Sequence, residues 1–568
     1  MSTSSTKRRR PDTRPLGITE WGVSNFKALE YATLPLVNLD VILGPNSSGK
    51  SSLLQSLLLL AQSTEDEIIL NGPLVRLGDP SDVIRRGNDG LTISYMARGK
   101  NASTDEVDDV LFEIILSKFG TTLAVSEFIA VDQVSGSVVI HATSERVPSS
   151  AKDSICDRRA HENLLRITLI DGERAPSSTF IVFSGFIPTA IAFRRTRKDI
   201  LTVLKRSARN REDLYQSERA FDTFFHILEW LSQSKASVPE KFAQLLPSRA
   251  VSSALEGMLN LPSSEMRELL ECFVNANFKD VDWVRAQTYG YQDPYSPAAR
   301  IFPPLGSRHR RAASVLSFGA EALRTFQGSI RYLGPLREEP QVVSPTGARY
   351  RALPAGIKGE YTADLLARSK DQVVKYHDWN NRSKTEPLPL ALTRWVAHLG
   401  LGDEVTVEDQ GKLGRGLRMH VNGVERDLTT IGVGASQLLP VLAVILTASS
   451  GNVILLEQPE LHLHPLVQSR LADFLLYARA DVKLVVESHS EYLVTRIRRR
   501  VVENPGLLDR VAVLFAEQHK GVTELRRLYL DRLGNFSDWP IGFFDTQDSE
   551  AAELAQAVRN VLCAENGG

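Results

Sequence analysis

The residues Gly44-Pro45-Asn46-Ser47-Ser48-Gly49-Lys50-Ser51 fill every position of G-x-x-x-x-G-K-[ST], directly after the apolar run Val41-Ile42-Leu43. No other feature constrains the fold as much. A buried strand must feed a tight glycine turn, and a helix must open at about Lys50, with Leu53, Leu54, Leu57 and Leu58 at helical spacing. In such a loop, backbone N–H groups wrap a β-phosphate and the helix adds its positive dipole end. The candidate ATP-binding residues are therefore Gly44, Pro45, Asn46, Ser47, Ser48, Gly49, Lys50, Ser51 and Ser52. Lys50 is expected to bridge the β- and γ-phosphates, and the Ser51 hydroxyl to ligate Mg²⁺.

At 568 residues the chain is long enough for two to four domains. Its apolar content of 42% and charged content of 24% are those of an ordinary globular protein. A net charge of −1 supplies no global field for nucleic acid, so any such contact must come from local patches. Cys156, Cys272 and Cys563 are too scattered for a metal cluster or a disulfide framework, which fits a cytoplasmic protein. The longest apolar stretch, 438–448, is too short to span a bilayer and contains Pro440, so no membrane partner is expected. The basic N-terminus lacks the apolar core of a secretory signal.

Five segments follow from the patterning. Residues 1–15, with Lys7-Arg8-Arg9-Arg10-Pro11, read as a disordered basic tail. Residues 16–140 form a strand-rich lobe around the loop: Ile18, Trp21, Val23 and Phe26 come first, then Leu36, Leu39, Val41 and Leu43, with further strands at 91–95 and 110–116. Residues 141–325 are expected to be a mostly helical insertion. Its clearest stripe is Phe221, Phe224, Phe225, Leu228 and Leu231, and its loops fall at 288–311, around Asp293-Pro294, Ser296-Pro297 and Pro303-Pro304. Strand and helix signals alternate again over 326–510, and 511–568 closes the chain.

A second informative block lies in that later lobe. Asn452-Val453-Ile454-Leu455-Leu456-Glu457 is an apolar strand ending in a carboxylate, followed by Gln458-Pro459-Glu460-Leu461-His462-Leu463-His464-Pro465. An acid at a buried strand end beside a phosphate loop is placed to hold Mg²⁺ through water. Pro465 sits where a helix begins, a position at which its missing N–H costs nothing. Upstream, Gly432-Val433-Gly434-Ala435-Ser436-Gln437 is a small-residue turn leading into an apolar helix, able to offer N–H groups to a phosphate. Downstream, the strand Leu484-Val485-Val486-Glu487 runs through Ser488 into His489, a polar group placed to contact a γ-phosphate.

Over roughly 17–130 and 325–500 this set resembles the ABC-type ATPase head of the SMC, Rad50 and RecF proteins and of the OLD-like ATPases of bacterial phage defence. The resemblance implies an α/β head split by the insertion, and ATP with Mg²⁺ as cofactors. It also implies a homodimer in which two heads close on two nucleotides, each held between one chain's phosphate loop and the other's signature turn. By position Gly434, Ser436 and Gln437 match the signature, although only Gly434 and Gln437 look like it. Glu457 takes the place of the metal-binding acid, His489 that of the switch histidine, and His464 stands where the D-loop usually has Asp. No Q-loop residue can be assigned. The C-terminal run Asp531-Arg532-Leu533-Gly534-Asn535-Phe536-Ser537-Asp538-Trp539-Pro540-Ile541-Gly542-Phe543-Phe544-Asp545 resembles the tail of an uncharacterised group of prokaryotic predicted ATPases, as do Tyr332-Leu333-Gly334-Pro335-Leu336-Arg337 and Gly359-Glu360-Tyr361-Thr362.

One departure bears on rate. The residue after the metal-binding acid, usually a glutamate that polarises the attacking water, is Gln458. Glutamine orients water without taking its proton, and losing a general base costs about 10²- to 10⁴-fold. The expected protein is a slow ATPase with Glu457, Gln458 and His489 at its catalytic centre and Glu460 pointing away. It is expected to dimerise on ATP and act as a switch subunit of an antiviral defence system, gating a separate effector such as a nuclease. Too little chain follows His489 for a C-terminal Toprim nuclease, and no DxD pair marks one. The alternative is a DNA-binding clamp of genome maintenance, supported by the clusters Arg194-Arg195-Thr196-Arg197-Lys198, Arg308-His309-Arg310-Arg311 and Arg496-Ile497-Arg498-Arg499-Arg500.

Overall fold

The computed structural model describes residues 17–64, 67–100, 107–144, 162–176, 178–209, 260–277, 281–287, 307–339, 341–343, 352–411, 414–540 and 553–559, with 227, 242 and 257. The basic tail, the Phe221–Leu231 stripe apart from its neighbour Ile227, and the 288–306 loops lie outside the described residues, as do 541–545 of the C-terminal run.

One 17-stranded sheet carries the fold. Its parallel core runs Ile330–Leu333, Val453–Glu457, Lys483–Glu487, Leu39–Leu43, Val511–His519. These strands are near-continuous apolar runs because both faces are covered. Side chains alternate between two cores: Ile42, Val453, Leu455 and Val485 face one, while Leu39, Val41, Leu43, Ile454, Leu456, Leu484 and Val486 face the other. The loop helix Lys50–Gln62 packs its leucines into the first core. The helices Leu388–Leu399, Val433–Thr447, Pro465–Tyr477 and Glu491–Glu503 fill the second.

Beyond Val511–His519 the sheet turns antiparallel through Val522–Leu528, which pairs parallel with Leu29–Leu34. It continues through Gly17–Phe26, Gly90–Lys100, Val107–Phe119, Thr122–Asp132, Val138–Ser144, Glu162–Ile170, Thr179–Ser184, Ile187–Thr196 and Val281–Gln287. The sequence reading of 141–325 as mostly helical thus needs refinement. Its first part extends the antiparallel sheet, and helices occupy Arg197–Arg209, Ser263–Asn277 and Ser307–Ser329. Runs such as Thr179–Ser184 are apolar on both faces, so no period-two alternation marks them as strands. The Ser307–Ser329 helix lies on this sheet so closely that a Cβ on Gly319 would come within 2.5 Å of the Phe112 ring, and Tyr95 donates to the Gly319 carbonyl at 3.3 Å.

The predicted helix start at Pro465 holds. Pro465 opens its helix, with His464 as N-cap accepting from the Leu466 N–H. Ser490 caps the next, its Oγ accepting from the Leu493 N–H at 3.1 Å. Among the described residues no helix is long and apolar enough to cross a membrane.

Candidate functional site

The parallel strands all end at one edge, so Leu43, Glu457 and Glu487 release the chain side by side. Loops at the carboxyl ends of parallel strands are where α/β sheets bind ligands. Here the Leu39–Leu43 strand leads into the glycine loop and then the Lys50–Gln62 helix, as the motif requires. Gly44, Ser47 and Gly49 adopt φ of 144°, 62° and 92°, in or near the region that favours glycine. A Cβ on Gly44 would lie 2.3 Å from the Ala516 carbonyl, and one on Gly49 2.5 Å from Thr523 Oγ1, so the loop fits its neighbours only as backbone. Gly49 caps the helix with no side-chain hydrogen bond, leaving first-turn N–H groups to whatever binds there.

A cleft of about 380 Å³ opens on this loop, bordered by Asn46–Ser52, Lys27, Gln458, Glu487, His489 and Gln518. Lys50 reaches back across the loop, donating from Nζ to the carbonyls of Gly44 at 2.9 Å and Pro45 at 2.6 Å. Burial holds its pKa below the ordinary lysine value, against the pull of Glu487 and Glu460. The Ser51 hydroxyl donates to Glu487 Oε2 at 2.8 Å. His489 is held below the usual histidine pKa by burial and by the Lys50 charge.

Glu457 stands one strand further from the loop, because Lys483–Glu487 intervenes. At about 4.8 Å per strand that is roughly 10 Å of backbone separation. Its carboxylate accepts from the Tyr332 hydroxyl at 2.7 Å, and burial raises its pKa to about 7. Arg337 clamps the same strand end, donating from Nη1 to the carbonyls of Pro335 at 2.8 Å, Glu457 at 2.9 Å and Gln458 at 3.3 Å. This clamp holds Gln458 at φ 45°, a left-handed conformation, and the Gln458 N–H donates to the Glu487 carbonyl at 2.8 Å. Gln458 thereby borders the cleft beside His489.

Glu460 lies behind His489. It is buried and does not border the cleft, and its Oε1 accepts the His489 N–H at 2.6 Å, tying His489 to the turn after Glu457. Gly434, Ser436 and Gln437 lie on the Val433–Thr447 helix, outside the cleft; Ser436 and Gln437 are buried, and Ser436 Oγ donates to the Val433 carbonyl at 2.7 Å. Sequence reasoning missed Tyr332 and Arg337 as site residues and passed over Glu487 as the end of a strand. Glu487 carried a signal, a charged side chain closing the apolar run Leu484-Val485-Val486, whereas Tyr332 and Arg337 stand in a mixed run with none.

The donor set suits Mg²⁺ with a nucleotide. Ser51 and Glu487 offer hard oxygens, and Gln458 adds an amide. Among the described residues no three or more His, Cys, Asp or Glu gather to hold a metal alone, which is also how Mg²⁺ is usually bound, by one or two carboxylates plus phosphates.

Residues 361–495 match a family model described as "AAA domain, putative AbiEii toxin, Type IV TA system". Residues 508–554 match a model described as a protein of unknown function, DUF3696. No curated protein matches the chain. Among solved structures, a Smc head domain with an extended coiled coil bound to the C-terminal domain of ScpA, from Pyrococcus furiosus, aligns at 10% identity and TM-score 0.32, covering 96% of this chain and 99% of that one. The SMC head domain from Thermotoga maritima aligns at 8% identity and TM-score 0.31, over 90% and 98%. Scores this low carry no weight for the fold, which rests on the strand order and the loop.

Proposed function

We propose that the chain is a slow ATPase switch, binding ATP with Mg²⁺ in the cleft at the glycine loop and closing on a second copy that supplies the signature turn. Bound Mg²⁺ would neutralise charge on the β- and γ-phosphates. Loop N–H groups and Lys50 would hold the phosphates, Ser51 would face the metal, and His489 would report on the terminal phosphate. The observation that carries the reading is Gln458, pinned by Arg337 at the cleft where a general base would be expected. An amide there orients water but cannot accept a proton, so hydrolysis is slow and the ATP-bound state is long-lived.

The family model over residues 361–495, with its toxin and antitoxin description, supports placing this switch in a bacterial anti-phage defence system, where it gates a separate effector such as a nuclease. The start of the Val433–Thr447 helix, with Gly432 and Val433 exposed and away from the chain's own cleft, supports a shared site. Sizing chromatography tests the proposal. ATP should convert monomer to dimer before it is hydrolysed, and Lys50→Ala should abolish the shift. Turnover by the isolated protein at many per second would overturn the slow-switch reading, and an ATP-independent elution volume would overturn the shared site.

A further inference from the structure

Two glutamates end adjacent parallel strands in register, Glu457 opposite Glu487, yet their carboxylates have different surroundings. Glu457 is taken up by the Tyr332 hydroxyl and does not border the cleft. Glu487 borders it, is only 3% exposed, and receives the Ser51 hydroxyl proton at 2.8 Å.

That hydrogen bond has a direction. By donating its proton to Glu487, Ser51 leaves its oxygen lone pairs for a cation in the cleft. Glu487 itself borders the cleft and carries a carboxylate with lone pairs beyond the one that accepts from Ser51. The backbone around it is also fixed: the Glu487 carbonyl accepts from Gln458 N–H, and Ser488 N–H donates to the Ile42 carbonyl at 3.1 Å. A ligand held on both flanks by strand hydrogen bonds meets the demand of Mg²⁺ for near-ideal geometry better than one drawn off by a phenol.

We propose that Glu487, rather than the strand-end acid Glu457, is the carboxylate that joins Ser51 in holding the nucleotide's Mg²⁺. Tyr332 keeps Glu457 out of that role and makes it a positioning residue for the turn that carries Gln458. The proposal rests on the cleft binding ATP, and the experiment separates the two.

Binding of a fluorescent ATP analogue to the full chain is measured in EDTA and in Mg²⁺ for the wild type, Glu487→Gln, Glu487→Asp and Glu457→Gln. Electron paramagnetic resonance of Mn²⁺ with ATP serves as a second readout. The EDTA affinity reports the phosphate loop without the metal, so Glu457→Gln and Glu487→Asp should match the wild type within about threefold, and Glu487→Gln, with one negative charge fewer beside the phosphates, should bind at least as tightly. Mg²⁺ should tighten binding by the wild type and by Glu457→Gln, while Glu487→Gln loses about 10- to 100-fold of that gain along with the protein-bound Mn²⁺ signal. Glu487→Asp, which keeps the carboxylate, should recover part of it and covers the case in which the glutamine variant misfolds. Loss of the Mg²⁺ gain in Glu457→Gln with Glu487→Gln unchanged overturns the proposal, as does a full gain in both. A wild type that binds no analogue in either buffer overturns the ATP reading itself.

Discussion

At the scale of single residues, Glu457 shows how burial turns a side chain into a pH sensor. Its pKa rises from 4.5 to about 7, chiefly through burial, against the opposing Tyr332 hydrogen bond. A raised carboxyl pKa means that the folded state holds the proton more tightly than the unfolded chain. The resulting stabilisation is complete below pH 4.5 and is lost as pH rises through about 7. Glu457→Gln mimics the protonated form at every pH, and its amide oxygen still accepts from Tyr332. The variant should therefore be more stable than the wild type at pH 8, by up to about 3 kcal/mol at 1.36 kcal/mol per pKa unit, and unfold at a higher temperature, with the gap closing towards pH 5. Calorimetry across that range checks it, and a pH-independent difference would place the effect in packing instead.

At the scale of elements, the Pro465–Tyr477 and Glu491–Glu503 helices are joined by one buried acid. Asp473 is fully buried; Arg496 grips it through two nitrogens, at 3.1 Å and 2.7 Å, Arg500 donates at 2.7 Å, and His398 approaches to 3.6 Å. These partners pull its pKa well below the usual carboxylate range in spite of burial. Removing one member of such a network leaves the others uncompensated, so Asp473→Ala should cost about 3–5 kcal/mol, read as a lowered urea midpoint. The same helix pair shows what was legible in the sequence. Pro465 announced its helix start because the first helical turn is local chemistry, whereas the Ser490 cap was passed over. The loop residues from Gly44 to Ser51 and the strand ends at Glu457 and His489 were legible for the same reason, each being a short run with its own signature. The Ser51–Glu487 contact joins residues 436 positions apart, and Tyr332 meets Glu457 across 125. Such meetings depend on strand order, which no local pattern encodes. The strand of Thr179–Ser184 was hidden for a different reason, since it is buried along its whole length and lacks period-two alternation, whereas Leu165-Arg166-Ile167-Thr168-Leu169 does alternate and was passed over.

At the scale of the whole molecule, the basic clusters decide between a switch and a clamp. A chain of net charge −1 can grip duplex only through free local cations. The 496–500 cluster is largely committed within the fold: Arg496 and Arg500 to Asp473, Arg499 and Arg500 to Glu503, and Arg498 to the Gly534 carbonyl at 2.6 Å. That last bond also seats the C-terminal segment, where Phe536 stacks on Trp539 at 4.7 Å beside the Arg498 guanidinium. In the 308–311 cluster, Arg311 bridges Asp132 at 2.9 Å and Asp171 at 3.1 Å. The side chains of Arg194 and Arg195 lie outside the described residues. Each neutralised phosphate contributes about −0.9 to the slope of log affinity against log salt. With these arginines tied to carboxylates, we expect fluorescence anisotropy on a duplex oligonucleotide to give a slope of magnitude about 2 or less between 50 and 200 mM salt, and nearly the same slope for Arg499→Ala. A slope several units steeper, reduced by that substitution, would mean that DNA competes the arginines away from their acids, and the clamp reading would displace the effector-gating one.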